Sequence, residues 1–137
     1  MEITTSSEEQ TQELAKSFAK TLKPGDIVAL YGELGAGKSV FVRGVARGFG
    51  IKDRISSPTF TFIKSYQKGK ITLHHIDLYR GESIKDFESL ALDEVFTQGA
   101  IVMVEWANRI EKFLPKKRID VKLEANDGQR TITITRN

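Results

Sequence analysis

Gly32-Glu33-Leu34-Gly35-Ala36-Gly37-Lys38-Ser39 is the stretch on which the reading of this chain turns. It fits G-x-x-x-x-G-K-[ST] without a gap, and each residue type has a physical reason to stand where it does. Gly32, Gly35 and Gly37 let the backbone bend sharply and approach a ligand with no Cβ in the way. The amides so freed point inward as an anion-binding concavity. Lys38 adds a full positive charge for the β- and γ-phosphates of a nucleotide, and the Ser39 hydroxyl can ligate Mg²⁺.

The pattern is short enough to occur by chance, so its flanks decide. Before it, Ile27-Val28-Ala29-Leu30-Tyr31 is a continuous apolar run, as expected of a strand buried on both faces. After it, Val40 to Phe49 reads as a helix ended by Gly50, and the helix N-terminus adds partial positive charge to the cradle. Strand, glycine bend and helix in that order are the context the motif requires, and they predict an ATP-binding protein of the P-loop class. Gly44 and Gly48 lie on one side of that helix, where glycine is costly, and predict a close helix–sheet contact. Arg43 and Arg47 share another side and read as a solvated face.

Outward from this centre the chain reads as a single domain, 1–137, because no repeat, low-complexity tract or linker divides it. Ser6, three residues before Glu9, suggests a capping box. Leu14, Ala15, Phe18, Ala19 and Leu22 then recur at helical spacing until Pro24-Gly25. Phe60 to Tyr66 and Ile71 to Asp77 read as strands joined by a turn at Lys68-Gly69-Lys70. Ser83 to Leu90 is expected to be a helix capped by Ser83, and Ile101 to Val104 a second fully apolar strand ending in Glu105. Ile119, Val121 and Leu123, then Ile132 and Ile134, alternate with polar residues around the turn signal Asn126-Asp127-Gly128, predicting a half-buried hairpin. The fold class that follows is α/β, a three-layer P-loop NTPase fold with a mixed parallel/antiparallel sheet.

Composition sets the outer limits. Hydrophobic residues make up 39% and charged residues 28% of the 137, as in ordinary globular domains. No apolar stretch approaches the ~20 residues needed to span a bilayer, and Met1 to Gln10 is polar and acidic, unlike a signal peptide. With no cysteine in the chain, disulfides and thiolate metal sites are excluded, and a cytoplasmic address without a membrane partner is expected. The formal charge of +3 is a mild basic excess, compatible with phosphates or RNA and demanding neither. Lys116-Lys117-Arg118 reads as a solvated loop before a strand.

A Mg²⁺–nucleotide site needs a carboxylate at a strand end near the loop. Glu105 ends one apolar strand, where a Walker-B acid would sit, and Asp77 ends the other in His75-Ile76-Asp77-Leu78-Tyr79-Arg80. Either could hold the metal, act through a metal-bound water or orient the attacking water. His75 reads as a structural hydrogen-bonding group rather than a base, and zinc is not expected. Trp106, next to Glu105, is left as a core or interface residue.

Together, Gly32 to Ser39, Ser57-Pro58-Thr59-Phe60, His75 to Arg80 and Glu105-Trp106-Ala107, in that order and at similar intervals, resemble the TsaE (YjeE) family. These are the bacterial ATPases of tRNA threonylcarbamoyladenosine biosynthesis, and the resemblance spans essentially the whole chain. It implies slow, partner-dependent ATP hydrolysis that supports addition of threonylcarbamoyl to the adenosine beside the anticodon. It implies as partners the transferase subunit and its inactive paralogue, a TsaD–TsaB type heterodimer; direct tRNA contact stays open. By position, Lys38 and Ser39 match the phosphate and Mg²⁺ ligands, Thr59 the switch-like threonine, Asp77 an essential metal-site acid and Glu105 the Walker-B-like acid. The nucleotide-binding stretch so implied runs through Val40. Ser39 and Val40 stand where the family commonly has two threonines; serine keeps the oxygen ligand, and valine brings no hydroxyl.

Three other readings compete with an accessory ATPase. A small-molecule kinase would need an arginine-bearing lid, and only Arg80 stands between Tyr79 and Arg109. A GTP switch would commonly carry N/T-K-x-D and D-x-x-G, neither of which occurs. An RNA-binding module would show stacked aromatics; Phe60, Phe62 and Tyr66 alternate on one strand, but core packing is the simpler use of them.

Overall fold

The apolar run that precedes the glycine bend is strand β2 (Ile27–Tyr31), and it lies in the middle of a seven-stranded sheet. In the computed structural model, which describes residues 1–56, 58, 62–79 and 91–137, the strand order is β1-β7-β6-β2-β5-β4-β3. The remaining strands are β1 (Glu2–Thr5), β3 (Ile63–Lys68), β4 (Ile71–Asp77), β5 (Ile101–Glu105), β6 (Ile119–Asn126) and β7 (Gln129–Arg136). The helices are α1 (Glu8–Ala19), α2 (Lys38–Gly48) and α3 (Leu92–Thr97), with a kinked 3-10 segment over Ala107–Phe113.

Four strands, β6, β2, β5 and β4, run parallel in the centre. Antiparallel strands flank them: β3 on β4 at one side, β7 on β6 and then β1 on β7 at the other. Val28, Ala29 and Leu30 of β2 have no exposed surface, which explains why that strand reads as an unbroken apolar run. Alternate side chains serve opposite faces. Val28, Leu30, Leu73, Met103 and Val121 pack under α1 and α2, while Ala29, Ile76, Val102 and Val104 pack against α3 and the 3-10 segment. Helices on both faces of a mixed sheet give the expected three layers.

Three boundaries differ from the sequence reading. The cap of α1 is Ser7, whose hydroxyl accepts from the Gln10 amide, and Gln10 in turn accepts from the Ser6 amide. The two serines fit the same pattern one residue apart, and β1 fixes the register by carrying the chain up to Thr5. Helix α1 also stops at Ala19, before Pro24 is reached. Helix α2 starts at Lys38, two residues earlier than read, because Gly37 at φ 104° turns directly into it. Strand β1, helix α3 and the 3-10 segment had no sequence signal of their own. The helix expected over Ser83 to Leu90 lies outside the described residues, as do Phe60, Arg80 and Thr59.

Gly44 and Gly48 mark a close contact with α1, not with the sheet. A Cβ on Gly44 would come within 2.5 Å of Ala15 Cβ and 2.7 Å of the Gln12 carbonyl oxygen. On Gly48 it would come within 2.6 Å of Ala19 Cβ. The pair repeats one helical turn along each helix, so the two backbones meet over small residues. Helix α2 also buries Phe41 completely against Phe18 of α1, with ring centroids 5.5 Å apart, a burial worth about 1.5–3 kcal/mol. This clamp fixes the first turn of α2 against the strand ends.

Candidate functional site

The C-terminal ends of the parallel strands and the first turn of α2 enclose a cavity of about 520 Å³. Its volume lies in the usual range for a small-molecule site, ~300–1,000 Å³. Helix α2 has Gly37 as its N-cap and no capping side chain, so its first-turn amides remain available to an anion. The predicted loop contributes in two ways. Leu34, Gly35, Gly37, Lys38, Ser39 and Val40 line the cavity. Gly32 and Glu33 face Lys38 through their carbonyl oxygens, and Ala36 is buried in the core at 2% exposure instead.

Lys38 is 5% exposed, and its ammonium donates to the Gly32 carbonyl and, at 3.0 Å, to the Glu33 carbonyl. It also lies 4.1 Å from the centre of the Trp106 ring. Burial pushes its pKa below the ordinary lysine value, while the carboxylates of Glu105, Asp77 and Glu33 oppose that shift. A cation buried between carbonyls and an indole is poised for an anion with more charge to offer.

Two strand-end acids meet the loop. Glu105 is 2% exposed, and the Ser39 hydroxyl donates to its two oxygens at 3.1 and 3.3 Å. Asp77 sits directly opposite Glu105 in the β4–β5 register and lines the same cavity. Its Oδ1 accepts from the Tyr79 amide at 3.0 Å, which fixes it at the strand end. Lys38, Ser39, Asp77 and Glu105 are thus brought together from α2, β4 and β5. Thr59 lies outside the described residues.

Residues with no functional assignment from sequence also reach the cavity. Trp106 follows Glu105 in the left-handed region at φ 59°, and its ring packs on Tyr79 with centroids 5.2 Å apart. Ser7 and Glu8 arrive from the start of α1, and Arg130 from β7 donates to the Gly35 carbonyl at 3.3 Å. No local motif could have found Ser7, Glu8 and Arg130, because the β1-β7-β6 pairing brings them in from both ends of the chain. Arg47, read as solvated, is exposed and also donates to the Ile51 and Asp53 carbonyls, closing the turn after α2.

The donor set is one for a hard cation. Among the described residues no group of three His, Cys, Asp or Glu side chains could hold a metal on its own. Mg²⁺ does not ask for such a cage; it takes one or two carboxylates, waters and substrate phosphate oxygens. A hydroxyl, two carboxylates and a phosphate-binding loop around one cavity fit that pattern.

A family model described as "Threonylcarbamoyl adenosine biosynthesis protein TsaE" matches residues 5–132. The tRNA threonylcarbamoyladenosine biosynthesis protein TsaE of Bacillus subtilis (strain 168) is 45% identical over 128 residues, covering 93% of this chain and 80% of that protein. The protein of the same description from Treponema pallidum (strain Nichols) is 36% identical over 135 residues, 98% of this chain and 99% of the relative. The crystal structure of Bacillus subtilis YdiB superposes with a TM-score of 0.84 at 40% identity, covering 99% of this chain and 84% of that one.

Proposed function

The chain belongs to the TsaE family of threonylcarbamoyl adenosine biosynthesis proteins, and on that premise we propose that it binds Mg·ATP in the cavity above α2 and hydrolyses it slowly. The role is accessory: its nucleotide state serves the cytoplasmic complex that adds threonylcarbamoyl to adenosine beside the tRNA anticodon. Its partners there are the transferase subunit and the inactive paralogue of that subunit. No described helix is long and apolar enough to cross a membrane.

The observation that carries the nucleotide reading is the meeting of Ser39 with Glu105 at the mouth of an uncapped helix, with Lys38 beside them. The first-turn amides of α2 and the Lys38 ammonium hold the triphosphate by charge. Ser39 and the acids Glu105 and Asp77 supply oxygen ligands for Mg²⁺. When bound, Mg²⁺ would supply charge neutralisation at the phosphate oxygens while water adds to the γ-phosphorus and ADP leaves. Ser7, Glu8 and Arg130, which line the same cavity, are the residues left to meet the adenosine end. Trp106 and Tyr79 pack on one another at the acid side of the cavity.

Phosphate release by the isolated chain, measured with and without the transferase pair, tests this reading. Slow release that rises on adding the pair, together with retention of the pair on the tagged chain only when ATP is present, is the expected result. Fast turnover alone, or a pair retained regardless of nucleotide, would count against it.

A further inference from the structure

His75 is 1% exposed on β4, on the same face of the sheet as Glu105. Its Nε2 lies 2.5 Å from Glu105 Oε2. An ionised carboxylate has no hydrogen to give, so Nε2 carries it and donates. The other ring nitrogen, Nδ1, is buried and has no hydrogen-bond partner among the described residues. A buried polar atom left unsatisfied costs stability. Leu73 and Met103, the apolar neighbours along the same face, show what would fill this slot if packing were the only demand. The imidazole is therefore tolerated for its hydrogen bond to Glu105.

That contact completes a line across three elements. Ser39 on α2 donates to Glu105 on β5, and His75 on β4 donates to the same carboxylate from the other side. Asp77 needs no such support, because the Tyr79 amide already holds it. Glu105 is a longer side chain with one more torsion to fix, and the described bonds to its carboxylate come from Ser39 and His75.

We infer that His75 is a positioning residue, holding Glu105 by Oε2 so that Oε1 stays turned toward Ser39 and the cavity. The inference rests on the reading of Glu105 as a group that serves Mg²⁺ with a nucleotide. Partners that orient a metal-binding carboxylate typically contribute roughly 10–100-fold to metal affinity.

Two variants separate positioning from bulk. Glutamine places an amide N–H as far out as Nε2, whereas asparagine reaches only as far as Nδ1. Calorimetric titration of ATP into the full chain, in Mg²⁺ and in EDTA, reads the gain in affinity due to the metal. His75→Asn should shrink that gain by roughly 10–100-fold and leave binding in EDTA unchanged, and His75→Gln should restore most of it. Equal gains in the two variants, or an equal loss in EDTA, would overturn the role of His75 alone. Wild-type protein showing no Mg²⁺-dependent ATP binding would overturn the nucleotide reading as well. A readout without variants is the Nε2–H proton resonance of His75 in the wild type. It should move when Mg²⁺ is added with ATP and not with ATP in EDTA; an unmoved resonance contradicts the inference.

Discussion

Ser39 Oγ donates to both carboxylate oxygens of Glu105, at 3.1 and 3.3 Å, although 66 positions separate the two residues in the chain. The phosphate loop and the strand-end acid are therefore one unit, assembled by the parallel pairing of β2 with β5. Changes at either residue should be felt at the same step.

Ser39→Thr keeps the hydroxyl and should retain hydrolysis, whereas Ser39→Ala should lower it at least about tenfold, ~1.4 kcal/mol of barrier. The fold should tolerate both changes to within ~1.5 kcal/mol, since one hydrogen bond is at stake. Phosphate release and urea melts on the same preparations check this. A Ser39→Ala chain with full activity would separate the hydroxyl from the chemistry.

Gly44→Ala and Gly48→Ala should destabilise the protein despite the better helix former. Alanine brings about 1 kcal/mol of helix propensity. It also brings a methyl within 2.5 Å of Ala15 Cβ or 2.6 Å of Ala19 Cβ, with the Gln12 and Lys16 carbonyls close behind. Backbone atoms yield poorly, and overpacking of this kind costs ~1–3 kcal/mol, so a net loss is expected by thermal or urea melting. An unchanged or raised midpoint would show that α1 can slide away.

The Lys38 ammonium should weigh on stability in a defined pH window. Its folded pKa is lowered from 10.5 by burial, so the unfolded chain binds the proton more tightly than the folded one. Stability from this group therefore rises as pH climbs from the folded value toward 10.5. The wild-type minus Lys38→Met difference in unfolding free energy should become more favourable to the wild type as pH rises toward 10.5. A difference that is flat or falls over that window would contradict the direction of the shift.

Sequence carried the centre of the fold and lost its edges, for physical reasons. Strands β2 and β5 are buried runs ending at a glycine or an acid, and β4 is rich in β-branched residues and ends in an acid, so their limits were readable. Strand β1 is four residues, Glu2-Ile3-Thr4-Thr5, and exists because β7 offers it a partner from the far end of the chain. Helix α3 has six residues, opens from Ala91 in the left-handed region and carries no capping side chain, so nothing local announces it. The glycines of α2 signalled a close approach but not to what, because which surface meets a helix face is a tertiary fact. Lys38, Ser39, Asp77 and Glu105 were nameable from motif and strand end. The His75–Glu105 bond and the arrival of Ser7, Glu8 and Arg130 depend on which strands are neighbours, and that order is written nowhere locally.

Calorimetric titration of Mg·ATP into the wild type and into Lys38→Ala addresses the central claim most directly. The account predicts saturable binding near one ATP per chain, weakened at least ~100-fold, about 2.7 kcal/mol, in a Lys38→Ala protein that melts as a folded chain. No binding by the wild type, or equal binding by both, would contradict it.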